Sequence, residues 1–171
     1  VRTFPDALRL APGLAVVTAG GLGAQTSAFP RGGESDYSLV FIDGVQANAF
    51  GGGFDFAHVP VNNIERIEIV RGAQSALYGS NAIGSVIRVV TRRDGGTTAS
   101  GFVEGGSFGT SRFGAATSGS LGSVHWGAEA DRVASDGVVQ NDDYERWTIG
   151  GGGGWSGAEG RTLRGNLRYT D

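Results

Sequence analysis

Cysteine and methionine are both missing from these 171 residues. With no Met there is no initiator, so the chain is expected to begin inside a longer protein. With no Cys there can be no disulfide, zinc knuckle or thiol nucleophile, although this says little about compartment. No charged-then-apolar leader is present, and no apolar run approaches the ~18 residues that a membrane-spanning helix needs. Any contact with a bilayer must therefore be made through strands. The formal charge of -3 gives no electrostatic footprint for nucleic acid. Glycine, by contrast, is abundant at 32 residues, well above the ~7% of ordinary chains. It follows no three-residue period and Pro is only 4, which excludes collagen and Pro-rich disorder. The aromatic and β-branched content argues against disorder as well.

Composition shifts near Asp94-Gly95-Gly96, dividing the chain into a first domain, 1–95, and a second, 96–171. In the first, Pro5 to Leu10 reads as a short helix with Thr3 as N-cap and Ala11-Pro12-Gly13 as its stop. Leu14 to Thr18 is a strand, and the small, polar stretch Ala19 to Ser35 suits a loop. Leu39 to Ile42 is an apolar strand ended by the turn pair Asp43-Gly44. A glycine-rich loop, Gln46 to His58, carries Phe50, Phe54 and Phe56. Glu65 to Val70 alternates, about one helical turn fits Ala73 to Tyr78, and Val86 to Thr91 is a further strand. This is a small α+β unit, and ~95 residues suffice for its own core.

The second part contains alternating strands alone. Val124, Trp126, Ala128 and Ala130 alternate with His125, Gly127, Glu129 and Asp131. Leu163, Gly165, Leu167 and Tyr169 alternate with Thr162, Arg164, Asn166 and Arg168. Thr98 to Gly106, Arg112 to Ser120 and Arg146 to Trp155 are weaker versions. Strands of about 9–11 residues with one apolar face suit a tilted membrane barrel, apolar toward lipid and polar toward a wet lumen. A soluble sandwich shows the same alternation around a dry core. Alternation alone leaves the two about even.

The segment Val59-Pro60-Val61-Asn62-Asn63-Ile64-Glu65-Arg66-Ile67-Glu68-Ile69-Val70-Arg71-Gly72 closely resembles the signature of TonB-dependent receptor plugs. It runs on without a gap through Ala73-Gln74-Ser75-Ala76-Leu77-Tyr78-Gly79 to Ile87. Leu39 to Val45, Arg31-Gly32 with Ser35, and Ala7-Leu8-Arg9 through Gly13 match earlier family motifs in order, so the resemblance covers about residues 1–93. Two departures occur: the family usually has Pro at the position of Ala73 and Gly at that of Ser85. The resemblance implies an α+β plug followed by antiparallel strands of a transmembrane β-barrel, here truncated to about five of the family's ~22. It implies a bacterial outer-membrane location with the plug facing the periplasm, and active uptake without catalysis. It also implies TonB as partner, through a segment preceding Val1. The plug most resembles the cobalamin transporter type; an iron siderophore is the alternative cargo. From another class, the rival is a soluble glycine-rich β binding module.

One motif imitates an enzyme. Gly21-Leu22-Gly23 follows a strand, and Asp43 follows a second strand, as in a dinucleotide-binding fingerprint. The fingerprint needs a helix directly after the glycines, and Pro30-Arg31-Gly32-Gly33 leaves no room for one.

The remaining candidates rest on the resemblance. Gln46, Asn48, Phe50, Phe54, Phe56 and His58 would line an apical loop contacting cargo, with packing against the barrel wall as the alternative. Arg31, Glu65, Glu68 and Arg71 would make plug–barrel contacts, with local turn chemistry as the alternative for the arginines. No cofactor is required. Asp136, Asn141, Asp142 and Asp143, on a connection that strand order makes external, offer oxygen ligands of the kind calcium takes. A solvated polar loop is the other reading of them.

Overall fold

The computed structural model describes residues 2–49, 52–79, 81–93 and 96–171, Glu159 by its backbone alone. Phe50, and Asp94 and Gly95 at the expected division, lie outside the described residues. The chain forms two compact units, Val1–Val90 and Thr91–Asp171.

The first unit opens with helix α1, Phe4–Arg9, which is set by its cap. The Thr3 hydroxyl accepts from the Asp6 N–H at 3.3 Å, and the Asp6 carboxylate accepts from the Thr3 N–H at 3.0 Å. Two otherwise orphaned donors are thereby satisfied reciprocally. Phe4 and Leu8, one turn apart, face inward and are fully buried.

Strand β1, Leu14–Thr18, pairs antiparallel with β2, Thr26–Pro30. The stretch Ala19 to Ser35, expected to be a loop, therefore contains a strand. Its inward residues Thr26, Ala28 and Pro30 are small or polar, so their burial leaves little apolar alternation to read. Because β2 rather than a helix follows Gly21–Gly23, the dinucleotide fingerprint has no structural counterpart.

Strands β3 (Ser38–Ile42), β4 (Val45–Gln46), β5 (Ile64–Arg71) and β6 (Ser85–Thr91) form a sheet of order β4-β3-β6-β5, with β3 and β6 parallel. Asp43 and Gly44, both at positive φ, make the hairpin turn between β3 and β4. A short helix α2, Ser75–Tyr78, ends at Gly79 with φ 88°. Phe4, Leu8, Val40, Phe56, Ile87 and Val89 form the main core, each burial contributing about 1.5–3 kcal/mol. Ser85, where the family usually has Gly, is accommodated by Ser38: their buried hydroxyls meet at 2.9 Å across the β3–β6 register.

The second unit is a five-stranded antiparallel meander: β7 (Thr98–Gly105), β8 (Ser111–Leu121), β9 (Val124–Ser135), β10 (Tyr144–Ser156) and β11 (Thr162–Thr170). Its two faces follow from alternation and register. One presents Val103, Phe113, Trp147, Ile149, Leu167 and Tyr169, all exposed. The other carries Ser118, Glu129, Asp131, Arg146 and Thr148, all buried. The observed architecture agrees with the expected fold class: a small α+β unit followed by five antiparallel strands in an open sheet that does not close within this chain.

Candidate functional site

The loop from Gln46 to His58 divides between scaffold and surface. Asn48 is structural: its Oδ1 accepts from the Val40 N–H at 2.6 Å and its Nδ2 donates to the Ser38 carbonyl at 2.9 Å. One amide side chain thus continues the edge of β3 and anchors the start of the loop. Asp55, which sequence reading passed over, anchors the other end. Its Oδ1 accepts from Ala57 N–H and Thr26 N–H, both at 2.9 Å, tying a single 3₁₀ turn at Phe56–His58 to β2.

That turn drives Phe56 into the core, where it is 1% exposed. Its ring stacks on Phe4 at 5.9 Å and meets Phe54 edge-on at 4.9 Å. The expectation that Phe56 contacts cargo is corrected accordingly, since a ring without accessible surface cannot stack on a ligand. Sequence alone could not separate a core aromatic from an exposed one on a glycine-rich loop. Phe54 is half-buried against the same cluster. His58 sits 3.4 Å from the Asp55 carboxylate and remains partly open to solvent. Gln46 is exposed on β4.

Glu65 and Glu68 are engaged within the plug sheet. Arg66 reaches Glu65 at 2.8 Å and Glu68 at 2.7 Å, and Arg88 reaches Glu68 at 3.0 Å. The Arg66 hydrogen bond holds the Glu68 carboxyl below the usual range and pushes the Arg66 guanidinium up.

Arg31 and Arg71 come together from distant motifs. Arg71 Nη1 donates to the Pro12 carbonyl at 2.6 Å. Arg31 adopts φ 51°, donates its backbone N–H to Gly13, and lays its guanidinium beside Gly72. Among the described residues neither arginine has a carboxylate partner. Turn chemistry and two uncompensated cations therefore coexist at one spot.

On the barrel-side unit, charges cross the buried face in pairs. Arg146 Nη2 meets Asp131 Oδ1 at 2.6 Å, and Arg168 meets Glu129 at 2.8 Å. Glycines make the space: a Cβ at Gly150 would press on the Glu129 carboxylate, and one at Gly154 on the His125 ring. Alternation identified this polar face, but pairing depends on register, which composition does not disclose.

The acidic connection after β9, residues 136–143, bends at Gly137 and Asn141, both at positive φ. The Asp142 carboxylate accepts from Val138 N–H at 3.3 Å, whereas Asp136 turns its carboxylate toward Gly109 in the neighbouring turn. Among the described residues no three His, Cys, Asp or Glu side chains converge to hold a metal ion. Calcium, which takes 6–8 oxygens, would require Asp136, Asn141, Asp142 and Asp143 to be drawn together by a change in this loop.

A capped opening helix, a four-stranded sheet with β3 and β6 parallel, and a following antiparallel meander have the architecture of a plug domain with the beginning of a barrel. Residues 1–86 match the TonB-dependent receptor plug domain, and the chain belongs to that family. Within it, the vitamin B12 transporter BtuB of Photobacterium profundum is 41% identical over 128 residues, covering 74% of this chain and 21% of the relative. That of Vibrio vulnificus is 46% identical over 90 residues, covering 53% and 15%. The chain thus spans about a fifth or less of these relatives' length.

In fold, it resembles the pyoverdine outer-membrane receptor FpvA of Pseudomonas aeruginosa PAO1, with a TM-score of 0.79 at 19% identity, covering 99% of this chain and 25% of that one. It also resembles the siderophore receptor PirA of Acinetobacter baumannii, with a TM-score of 0.76 at 21% identity, covering 99% and 29%.

Proposed function

We propose that this chain forms the plug and opening barrel strands of a TonB-dependent outer-membrane receptor that takes up cobalamin. The observation that carries the membrane reading is the inverted sheet: Phe113, Trp147, Ile149 and Leu167 are exposed while Asp131 and Arg146 are buried. In water this face would be a large apolar patch; in a barrel wall it meets lipid, and its polar counterpart meets a filled lumen.

With β7 taken to run outward from a periplasmic plug, the turns 106–110 and 136–143 would lie outside and 122–123 and 157–161 inside. The shortest connection falls on the periplasmic side and the longest outside, as such barrels prefer. The cobalamin class rests on the identity to vitamin B12 transporters. Arg31 and Arg71, two cations without a carboxylate within the described residues, suit acidic groups of barrel strands beyond Asp171. That contact would seat the plug until TonB, acting through a segment ahead of Val1, displaces it. Of the loop residues, Gln46, Phe54 and His58 keep surface for cargo.

The test is uptake by cells whose own cobalamin receptor is deleted, supplied with the full-length protein. Radiolabelled cyanocobalamin should accumulate when TonB is present and stay at background when it is absent. TonB-dependent uptake of a ferric siderophore, with none of cobalamin, would overturn the cargo assignment.

A further inference from the structure

We propose that the outward face of the barrel-side sheet carries a site for a phosphate-bearing lipid, with Arg132 taking the phosphate and an adjoining depression taking part of an acyl chain. The proposal rests on the reading of β7–β11 as lipid-facing barrel strands. Register puts Val103, Phe113, Arg132 and Trp147 in one row across that face, close to the ends that the reading makes external.

Among the described residues, the outward positions within these strands carry only two charges, Arg132 and Glu145. A charge facing lipid is disfavoured most at mid-depth and least at an interface, which suits the end of β9. Arg132 is held by its edges. Its Nε meets Glu145 Oε1 at 2.8 Å, and its guanidinium carbon lies 5.9 Å from the Phe113 ring and 5.7 Å from the Trp147 ring. The two rings themselves meet edge-on at 5.5 Å.

This leaves Nη1 and Nη2 without an acceptor among the described residues. They form the planar fork that binds a phosphate through two parallel hydrogen bonds. Directly along β9, Ala130 helps line a depression of about 470 Å³ with Gly101, Val103, Phe113 and Ala115, completed by Phe102 and Gly114. No charged side chain lines it. A cation beside an apolar trough, on a face continuous with the lipid-exposed surface, complements an anionic amphiphile; a soluble anion would leave the trough empty.

The full-length receptor, purified in detergent, would be titrated with bis-phosphorylated lipid A and, separately, with the same lipid stripped of its phosphates. Bound lipid would be counted by native mass spectrometry. The phosphorylated form should bind more tightly, and Arg132→Gln should weaken it about tenfold, with Arg132→Lys little better because the fork is lost. Glu145→Gln should hold or strengthen binding, since it removes a competing anion. Ala115→Phe, which fills the trough without touching the charge, should also weaken it. Inorganic phosphate should not compete, because it has no chain.

Equal binding of both lipids, or unchanged affinity in both Arg132→Gln and Ala115→Phe, would overturn the site. A receptor that stays monomeric without detergent would instead overturn the barrel reading beneath it.

Discussion

Replacing Phe56 by Ala separates two roles for the loop after β4. The ring is 1% exposed and packs on Phe4 and Phe54 at centroid distances of 5.9 and 4.9 Å. Buried Phe→Ala changes typically cost about 3–5 kcal/mol, combining lost transfer energy with the cavity left behind. Each stacked or edge-on partner accounts for about 0.5–1.5 kcal/mol of such a loss. The neighbours are the β1–β2 pair and the parallel β3–β6 pair, so the cavity opens at the plug's centre and limited collapse is available.

At about 1.4 kcal/mol per decade, amide exchange protection in β3 and β6 should fall by roughly two to three and a half orders of magnitude. Hydrogen exchange with mass spectrometry on the full-length receptor reads this directly. Cargo affinity should change little wherever the plug remains folded. Unchanged protection together with a collapse of cargo affinity would refute the core assignment and return Phe56 to the cargo surface.

Other consequences follow from the same geometry. Thr3→Ala removes the α1 cap and should cost about 1 kcal/mol of plug stability, visible as faster exchange in Phe4–Arg9. Burial pushes the Asp6 carboxyl up, but hydrogen bonds from Thr3 and the Arg9 charge outweigh it and hold the group below its ordinary range. Its contribution is therefore complete above about pH 3.9 and lost as pH falls through the lowered value, so the Thr3→Ala difference should shrink in acid. Ser85→Ala strands the buried Ser38 hydroxyl and should cost about 1–3 kcal/mol, whereas Ser85→Gly with Ser38→Ala should be close to neutral; the difference is measurable by the same exchange experiment. Arg146→Met leaves Asp131 buried without its 2.6 Å partner, a loss of about 3–5 kcal/mol that a joint Asp131→Val change should largely reverse. The temperature at which the folded barrel band is lost on a denaturing gel would show it. Arg71→Ala should loosen plug seating and increase entry of small antibiotics; unchanged permeability would leave Arg71 with its Pro12 contact alone.

Much of the architecture was legible because local chemistry and tertiary demand agree. Thr3, the glycine at position 79, the Asp43-Gly44 turn and the alternation of β9 and β11 each specify their element without help from distant residues. The strand at Thr26–Pro30 was not legible, because its burial depends on partners in β1 and on the Asp55 carboxylate rather than on its own apolar period. The loop aromatics were ambiguous for the same reason. Phe56 and Phe54 differ in what lies opposite them, and Phe4, the decisive neighbour, is 52 positions away in the sequence. Arg31 and Arg71 were recognisable by motif, but their meeting at the Pro12–Gly13 turn is a product of the fold. The outward Arg132–Glu145 pair went unremarked because alternation assigns faces, while pairing needs register.

The central claim, that β9 crosses a membrane with opposite faces in lipid and lumen, is best tested by single-cysteine spin labels at 124–134 in the full-length receptor in bilayers. This chain contributes no native cysteine, and any elsewhere would be replaced. Accessibility to oxygen, which concentrates in lipid, should peak at Trp126, Ala128 and Ala130. It should drop at Gly127, Glu129 and Asp131 with a period of two. A flat profile, or collisions dominated by a water-soluble relaxer at Trp126, Ala128 and Ala130, would contradict the account.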